Sequence, residues 1–408
     1  MIVRKTLFVW AVITIGLFCF DAAAKDVAED KKLKVFILAG QSNMVGHSNA
    51  HTMATLFNAD GPRDLTLIDL VFGKDANLSK KRFDETLALA KQLNELTGGS
   101  GDKKIEAMKD ADQKAAAEAK AAPMKAALEA YQKEVVEASV VSDRVYINSI
   151  ADKNRRFGKL AVGFGGSQAK IGPEYAFGLS IAEKIDGPIL LIKTSWGGKS
   201  LNYDFRPPSA GPYTPTGKEK GNPEDVKKNA GLYYRMMNEQ VRQVLDNLEE
   251  NHPAYDSAVG YEIAGFVWFQ GFNDQFNDHF RANYKDNMVA FIKDIRSEYK
   301  TPKMPFVIGV LGTARAKSKE AVDENEVSIA QREAAAVPEF KGNVVAVESY
   351  TEYALDSLEV FNAGWKPNYY LWNLVGSDRP YHYLGSGKFF VRLGDAFATA
   401  MDEMIKKQ

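Results

Sequence analysis

The sequence predicts an α/β protein, a three-layer α/β/α sandwich around a parallel sheet of five strands. Short, almost continuous apolar runs recur along the chain, as is typical of strands buried on both faces, and segments with helical periodicity separate them. The 408 residues include 45% hydrophobic and 26% charged residues, an ordinary globular balance that is sufficient for one large domain.

Five segments are predicted as the strands of this sheet. The first covers residues 34–39, and the last is a short run at residues 344–347. Between them lie residues 188–193, 263–269 and 306–311. Helical patterns occupy the intervals, and a closing helix follows the last strand. Because ligands of such sheets bind beyond the carboxyl ends of the strands, functional residues are expected where the strands end.

The first 24 residues have the pattern of a secretory signal peptide. Arg4 and Lys5 give a positively charged start, an apolar run follows, and a small-residue site of the A-x-A kind ends at Ala24. The apolar run is too short to span a bilayer comfortably. We therefore expect cleavage after Ala24, a mature domain of residues 25–408, and a secreted or periplasmic location.

Charge and cysteine content exclude several functional classes. The formal net charge of -1 indicates neither a nucleic-acid-binding surface nor an acidic disordered chain. Cys19 is the only cysteine and lies in the predicted signal peptide, so the mature protein has no thiol nucleophile, disulfide or cysteine-based metal site. A lipid anchor at Cys19 is an alternative, but Phe18 before it is bulky for such a site. No later apolar run has the length of a membrane helix.

A helical insertion is predicted between residues 75 and 140. This segment is rich in Ala, Lys and Glu, and apolar residues recur in it at helical spacing. A glycine-rich break at residues 98–101 separates two helical stretches, and a third is expected after Pro123. Because no heptad pattern is sustained, we interpret the segment as a solvated helical hairpin on the main domain rather than a partner-binding coiled coil.

Four polar segments lie where predicted strands end or where the closing helix begins. They are GQSNM at residues 40–44, WGGKS at 196–200, QGFND at 270–274 and YHYLGS at 381–386. Acyl transfer needs a serine, a histidine that takes its proton, and N–H donors for the oxyanion from a glycine turn or an Asn amide. Each segment alone also fits a turn or a helix cap. Their combination predicts an acyl-transfer site.

These segments resemble the sequence blocks of the SGNH hydrolase superfamily, within it the sialate O-acetylesterase and acetylxylan esterase branch, which is similar to carbohydrate esterase family 6. The resemblance extends over most of the chain outside the insertion and implies the flavodoxin-like SGNH hydrolase fold. It implies that Ser42 is the nucleophile and His382 the base. The implied oxyanion hole comprises the backbone N–H groups of Gly198 and Ser42 and the side chain of Asn273.

Two positions depart from the family pattern. Phe272 stands where many relatives carry a glutamate, so any role of that glutamate is absent here. The aspartate usual three residues before the histidine is replaced by Arg379, and Asp378 lies four residues before His382. Asp378 is therefore one candidate for orienting His382, with a backbone carbonyl and Asp274 as alternatives.

Candidate substrate contacts lie beside these segments. Gln41, Gln270 and Trp196 are the predicted substrate-binding residues, and Gly197 is the alternative to Gly198 as an oxyanion donor. Other aromatic residues near the expected crevice have two interpretations, sugar stacking or core packing. They are Tyr203, Phe205, Trp268 and Phe269.

Two weaker patterns point to other chemistry. His47 and His51 are four residues apart, as two metal ligands on one helix face would be, but no third ligand is evident. Residues 163–167 (GFGGS) resemble a phosphate-binding loop, although the Lys-Ser/Thr pair of such loops is missing. We therefore expect neither a metal nor a cofactor.

These patterns together predict an exported serine esterase that removes O-acetyl groups from carbohydrate, either acetylated polysaccharide or sialic acid. The expected partner is the acetylated carbohydrate substrate, without nucleic acid. Two alternatives stay open, a carbohydrate-binding protein on a decayed hydrolase scaffold and a lipid or thioester hydrolase that uses the same site. The sequence names neither the sugar nor the acetylated position nor the oligomeric state.

Overall fold

The computed structural model describes residues 32–74, 76–217, 219, 221–312 and 319–408. The predicted signal peptide and its cleavage site lie outside the described residues. Within them, strands and helices alternate around one central sheet. No helix of this part of the chain is both long and apolar enough to cross a membrane.

In the described residues, the central sheet has seven strands rather than the five predicted. The strands of the structure are β1 (Leu33–Gly40), β2 (Ser48–Asn49), β3 (Val145–Ala151), β4 (Asn154–Lys159), β5 (Lys170–Ile171), β6 (Ile189–Ser195), β7 (Tyr261–Phe269), β8 (Phe306–Val310) and β9 (Val344–Glu348). The order across the sheet is β4-β3-β6-β1-β7-β8-β9. All neighbours in it are parallel except β3 and β4, and β2 pairs separately with β5.

The β3–β4 hairpin is the part of the sheet that the sequence pattern did not predict. β3 carries polar residues between its apolar ones, so it lacks the continuous apolar run that indicated the other strands. None of the residues of β4 is buried, and its sequence, NRRFGK, is mostly polar. The two strands therefore carry weaker strand signals than the five that were predicted, which lie close to their expected bounds.

Helices cover both faces of the sheet. The α-helices are Ser42–Val45, Pro62–Phe72, Lys80–Thr97, Lys103–Glu106, Ala111–Glu137, Pro173–Lys184, Pro223–Asn229, Leu232–Leu245, Leu248–Asn251, Asp278–Ala282, Tyr284–Glu298, Lys319–Asp323, Glu326–Ala335, Leu355–Asn362, Tyr369–Val375 and Gly387–Ile405. The 3-10 helices are Ala50–Phe57, Ser100–Asp102, Pro208–Ala210, Asp274–Phe276, Pro338–Phe340, Ser349–Glu352 and Pro380–Gly385.

Alternate residues of β1 enter two hydrophobic cores, one on each face of the sheet. Phe36 belongs to the core that includes side chains of the closing helix Gly387–Ile405. Ile37 belongs to the core that includes side chains of helix Tyr284–Glu298. Successive side chains of a strand point to opposite faces, so both faces of the sheet are buried beneath helices. The predicted three-layer α/β/α fold is confirmed.

The segment 75–140 contains two long helices, Lys80–Thr97 and Ala111–Glu137, which pack against each other. Pro123 lies inside the second helix, so the predicted break there was wrong. Alanine-rich sequence on both sides, and burial of residues from both halves, outweigh the roughly 3 kcal/mol that an interior proline costs. Phe83 of the first helix is fully buried and joins the same core as β1, so the segment contributes to the main core.

Candidate active site

The ends of β1, β6 and β7 bring three of the four polar segments to one edge of the sheet. Gly40, the last residue of β1, pairs with Ser195 of β6 and Phe269 of β7. A Cβ atom at Gly40 would lie 2.1 Å from the carbonyl oxygen of Phe269. Only glycine permits this close approach. The three segments therefore begin at the same level.

Ser42 begins the one-turn helix Ser42–Val45, two residues after the end of the strand. Gln41 precedes it in an extended conformation and occupies the N-cap position. Ser42 is 9% exposed, at the edge where ligands of parallel sheets bind. A sharp strand-to-helix turn is also the geometry that displays the serine nucleophile of α/β hydrolases.

A buried ion pair lies behind this turn. Lys193 of β6 and Glu174 are both fully buried, with 2.7 Å between Nζ and Oε2. Lys193 Nζ also donates to the carbonyl oxygens of Val45, at 2.9 Å, and Phe164, at 3.0 Å. Burial lowers the pKa of Lys193, whereas the neighbouring Glu174 carboxylate favours its charged form. All three ammonium N–H groups thus have acceptors, and one of them fixes the end of the turn.

Gln41 and Gln270 form a buried amide pair that connects the strand ends. Gln270 Nε2 donates to Gln41 Oε1 at 3.2 Å and to Asp274 Oδ2 at 2.6 Å. Gln41 Oε1 also accepts from the backbone N–H groups of Gly271 and Asn273, each at 3.3 Å. Gln41 Nε2 is buried without a hydrogen-bond acceptor in the described part of the chain. Substrate contact by Gln41 and Gln270 stays a prediction.

Asp274 joins the loops that follow β6 and β7. Its carboxylate accepts from the backbone N–H groups of Leu201 and Asn202 at 3.0–3.1 Å and from Gln270. Burial raises the pKa of Asp274 to about 7, although these donors act to lower it. Its partners among the described residues do not include His382. The geometry therefore gives Asp274 a loop-joining role rather than that of orienting the histidine.

Besides Ser42 itself, the candidate donors of the oxyanion hole are Gly197, Gly198 and Asn273. A Cβ atom at Gly197 would be 3.9 Å from the Ser42 Cβ, and Asn273 Nδ2 donates to the Gly198 carbonyl at 2.8 Å. The Gly197 N–H is occupied, because it donates to Asp152 Oδ1 at 2.6 Å. The Gly198 N–H has no acceptor among the described residues. This difference favours Gly198 over Gly197 as the backbone donor.

Asp152 is a site residue that the sequence did not reveal. It lies in the turn between β3 and β4, with a φ of 56°, which aspartate tolerates better than most residues. Its backbone N–H donates to the Ser195 carbonyl at 2.8 Å, and its carboxylate holds the Gly197 N–H. Because the hairpin itself was not predicted, no local signal indicated this residue.

His382 lies in the 3-10 segment Pro380–Gly385, immediately before the closing helix. Asn43, the neighbour of Ser42, donates from Nδ2 to the Tyr381 carbonyl at 3.2 Å. This bond joins the serine turn to the histidine segment. The structure therefore brings the fourth predicted segment to the same edge as the other three.

The backbone after His382 is strained and firmly supported. Tyr383 and Leu384 have φ values of 48° and 65°, a backbone region that residues other than glycine rarely adopt. The Tyr383 hydroxyl accepts from the Gly312 N–H at 3.0 Å and lies 2.8 Å from Ser349 Oγ. These buried contacts maintain the strained turn that presents the histidine.

Asp378 is the carboxylate beside His382. Its Oδ2 lies 3.3 Å from His382 Nδ1, but Nδ1 has no hydrogen bond of regular geometry in the described structure. The same oxygen is 3.6 Å from His47 Nδ1 and 4.0 Å from Lys170 Nζ. Burial acts to raise the pKa of Asp378, but His382 and His47 are among the groups that bring it below the usual value. Asp378 therefore sits where an orienting carboxylate is needed, with loose alignment.

His47 stacks on His382, with 4.1 Å between ring centroids and 4° between ring planes. Burial lowers the pKa of His47 to about 4, and the neighbouring His382 and Lys170 contribute to the shift. His47 is therefore neutral near pH 7 and faces the ring of His382. The sequence paired it with His51 instead, but His51 Nε2 lies 2.6 Å from the Asn373 carbonyl.

The group of His47, Asp378 and His382 does not suit a metal ion, although its potential ligand atoms lie within 4.8 Å of one another. An imidazole binds a metal along a lone pair in the ring plane, at about 2.0–2.1 Å for zinc. Two parallel rings 4.1 Å apart cannot both direct their Nδ1 lone pairs to one ion. The pattern of two histidines four apart does not form a site either.

Of the other aromatic candidates, Tyr203 is half-buried and the rest are buried. Trp196 is 7% exposed, and its ring packs against Phe205 at 6.0 Å and Tyr233 at 5.3 Å between centroids. Trp268 and Phe269 are also buried. Substrate contact by Trp196 stays a prediction.

The glycine-rich loop at residues 163–167 is bonded to the protein itself. The N–H groups of Gly163 and Gly165 donate to the Lys170 carbonyl, and that of Gly166 donates to the Gly46 carbonyl. These N–H groups are therefore not aimed at a phosphate. The loop supports the segment that carries His47.

The family model described as "SASA: Carbohydrate esterase, sialic acid-specific acetylesterase" matches residues 150–349. This match covers the middle of the chain, just under half of its length. The predicted resemblance and the predicted class, a carbohydrate acetylesterase, are confirmed by this match. The matched segment includes Gly198 and Asn273, whereas Ser42 and His382 lie outside it.

Three solved structures align with this carbohydrate esterase at low identity. A protein from Arabidopsis thaliana is 15% identical, with 91% of this chain and 98% of that chain covered and a TM-score of 0.43. A carbohydrate acetylesterase from Xanthomonas citri is 13% identical (92% and 57% covered, TM-score 0.43), so the alignment spans little more than half of that chain. NanS is 11% identical (93% and 99% covered, TM-score 0.45). No curated protein sequence matches significantly.

Proposed function

We propose that this carbohydrate esterase is an exported serine acetylesterase that removes O-acetyl groups from carbohydrate through an acyl-enzyme on Ser42. One observation carries the proposal. The serine turn, the Gly198 N–H, the Asn273 amide and the His382 segment meet at the carboxyl edge of one sheet. The signal-peptide pattern of the first 24 residues supports export.

In the first half of the reaction, His382 takes the proton of the Ser42 hydroxyl as Oγ attacks the acetyl carbonyl carbon. The carbonyl oxygen gains a negative charge, which the Gly198 N–H, the Ser42 N–H and the second N–H of the Asn273 amide stabilise. The bond between the carbonyl carbon and the sugar oxygen then breaks. The sugar leaves as an alcohol after it receives the proton from His382.

In the second half, water replaces the sugar. His382 takes a proton from the water as its oxygen attacks the acetyl-Ser42 carbonyl, and the same donors stabilise the second oxyanion. Breaking the bond to Ser42 Oγ releases acetate, and Oγ recovers the proton. Asp378 faces Nδ1 of the histidine at 3.3 Å and stabilises the imidazolium in both halves.

The decisive experiment measures acetate release by the Ser42→Ala and His382→Ala proteins. Each should lose at least about 10³-fold in kcat, because the two groups act as a unit. Ser297→Ala, at an exposed serine of helix Tyr284–Glu298, is the matched control and should keep wild-type activity. Full activity in both active-site variants would end the esterase mechanism.

A substrate screen distinguishes the remaining alternatives. O-acetylated sialic acids come first, because the matched family is described as sialic acid-specific. Acetylated xylan follows, because the sequence blocks also resemble acetylxylan esterases. A preference for long acyl chains would favour the lipid or thioester hydrolase. Glycan binding by a wild-type protein without acetate release would favour the carbohydrate-binding scaffold. N-terminal sequencing of the secreted protein tests cleavage after Ala24.

A further inference from the structure

Three aromatic rings form a continuous surface that leads away from His382. We call Phe272, Phe276 and Tyr381 the aromatic shelf. The Tyr381 ring lies 4.5 Å from the His382 ring, the Phe272 ring lies 5.9 Å from Tyr381, and the Phe276 ring lies 5.2 Å from Phe272, all between centroids. The shelf therefore begins at the proposed base and extends outward.

The shelf is open to solvent, whereas most aromatic rings among the described residues are not. Phe276 is 65% exposed and Tyr381 is 43% exposed, and Phe272 between them is half-buried. Exposing adjacent large apolar side chains carries a hydration cost that a purely structural role does not explain. A concentration of such rings beside a reactive group indicates a surface for a ligand.

The backbone beneath the shelf is held in place by the network of the site. The Asn273 N–H, next to Phe272, donates to the buried Gln41 side chain at 3.3 Å. Asp274, which begins the 3-10 helix that carries Phe276, is fixed to the loop after β6. The Tyr381 carbonyl accepts from Asn43. The rings are thus presented in a preorganised arrangement, which lowers the entropy cost of binding a ligand.

We infer that the aromatic shelf is the subsite for the pyranose ring of the acetylated substrate, an inference that rests on the proposed function. A pyranose presents a face of C–H groups that matches the apolar, electron-rich face of an aromatic ring. The shelf starts at His382, so a sugar stacked on it places an ester at its edge near Ser42. Phe272 makes the shelf uncharged at its centre.

The test compares two esters without aromatic groups, mono-O-acetylated xylo-oligosaccharides and ethyl acetate. The measured quantity is the selectivity ratio, kcat/KM for the sugar ester divided by kcat/KM for ethyl acetate. Phe276→Ala should lower this ratio about 3- to 10-fold, mainly through KM of the sugar ester, which corresponds to one stacking contact. Phe276→Tyr keeps the ring and should keep the ratio, whereas Phe276→Leu should lower it.

Tyr261→Ala is the matched control. Tyr261 is 40% exposed and begins β7, at the end of the sheet opposite the site, so its loss should leave both kcat/KM values unchanged. Phe272→Ala provides a second shelf variant, with the thermal midpoint measured to confirm folding.

Several outcomes would overturn the inference. One is an unchanged ratio in both folded shelf variants, and another is an equal loss on both esters, which indicates a structural effect. Equal kcat/KM values of the wild type for ethyl acetate and the sugar ester would also overturn the inference. A changed sedimentation coefficient with an unchanged ratio would show that the shelf contacts another protein. Failure of the proposed function is seen separately, as acetate release that survives Ser42→Ala.

Discussion

The Ser42 turn and the His382 segment meet at one edge of the sheet but are held in different ways. The serine turn ends on a hydrogen bond from the fully buried Lys193 and begins at a glycine packed on β7. The orienting contact of His382 is a loosely aligned 3.3 Å approach to an Asp378 that is itself partly exposed. The proposed nucleophile is anchored by the core, whereas the proposed base lies on a buried backbone turn but has only a loosely aligned side-chain partner.

This difference matches what each group does in the proposed reaction. The serine must keep one position throughout, so rigid burial suits it. The histidine gains and loses a positive charge in each half of the cycle, and full burial would penalise its charged form. The partial exposure of His382 and the nearby Asp378 carboxylate both lower the cost of the positive charge. The predictions below test how far this contrast extends.

The largest effect is expected at the support of the serine turn. Lys193→Met leaves the Glu174 carboxylate buried without its partner, so the free energy of unfolding should fall by about 3–5 kcal/mol. Urea denaturation measures this loss. The double variant with Glu174→Gln should recover part of it, because a neutral amide is cheaper to bury. A loss below about 1 kcal/mol would show that the pair does not anchor the turn.

Asn273→Ala should lower kcat by about 10²–10³-fold with little change in folding, because one oxyanion donor is lost from a rigid site. Steady-state kinetics on an acetylated sugar and a thermal melt provide the two measurements. Asn273→Asp is the companion variant, since it keeps the size and removes the donor. An increase in KM alone would assign the amide to substrate binding instead.

Asp378→Asn should have an intermediate effect, about 10- to 10²-fold on kcat, because the contact that it removes is loosely aligned. A tightly bonded aspartate in this role is worth about 10⁴-fold. A loss of that size would show that the histidine side is as firmly held as the serine side. A silent substitution, with His382→Ala still inactive, would assign the orienting role to a backbone carbonyl.

The smallest effect is expected at His47, where phenylalanine keeps the stacked ring and removes the ionisable nitrogens. His47→Phe should change kcat only a few-fold, whereas His47→Ala should cost about 10-fold through the lost support of His382. The folded pKa of about 4 lies below the unfolded value of about 6.5, so the unfolded chain binds the proton first as pH falls.

The wild type should therefore lose stability between about pH 6.5 and 4, and the loss should be smaller in the His47→Phe protein. Urea denaturation at several pH values in this window measures the slope. Asp378 also differs between the two proteins, because His47 helps to lower its pKa, so the same pair of slopes is measured in the Asp378→Asn background to isolate His47. Equal slopes would show that this ring does not titrate as the structure indicates.

The five strands and the four polar segments could be predicted because their signals are local. A buried parallel strand is an apolar run, and a segment such as GQSNM carries its chemistry in consecutive residues. Asp152 could not be predicted in this way, since it reaches Gly197 from a hairpin whose strands lack the apolar pattern.

Contacts between distant segments limited the remaining predictions. Lys193 is the last residue of the predicted apolar run 188–193, and only the fold reveals that its ammonium is buried against Glu174. The sequence pattern paired His47 with His51, but its ring stacks on His382, which lies far along the chain. The aromatic shelf could not be predicted for the same reason, because Tyr381 and Phe272 come together only in the folded protein.

The hydrogen bond between Asn43 and Tyr381 joins residues 338 positions apart. Contacts of such long range form late on a folding pathway, because the chain between them must first be ordered. During synthesis, a chain that has not yet reached residue 382 carries Ser42 without the proposed base. Recovery of acetate release after refolding is therefore expected to lag behind the recovery of secondary structure, which makes hydrolysis a reporter of the last step of folding.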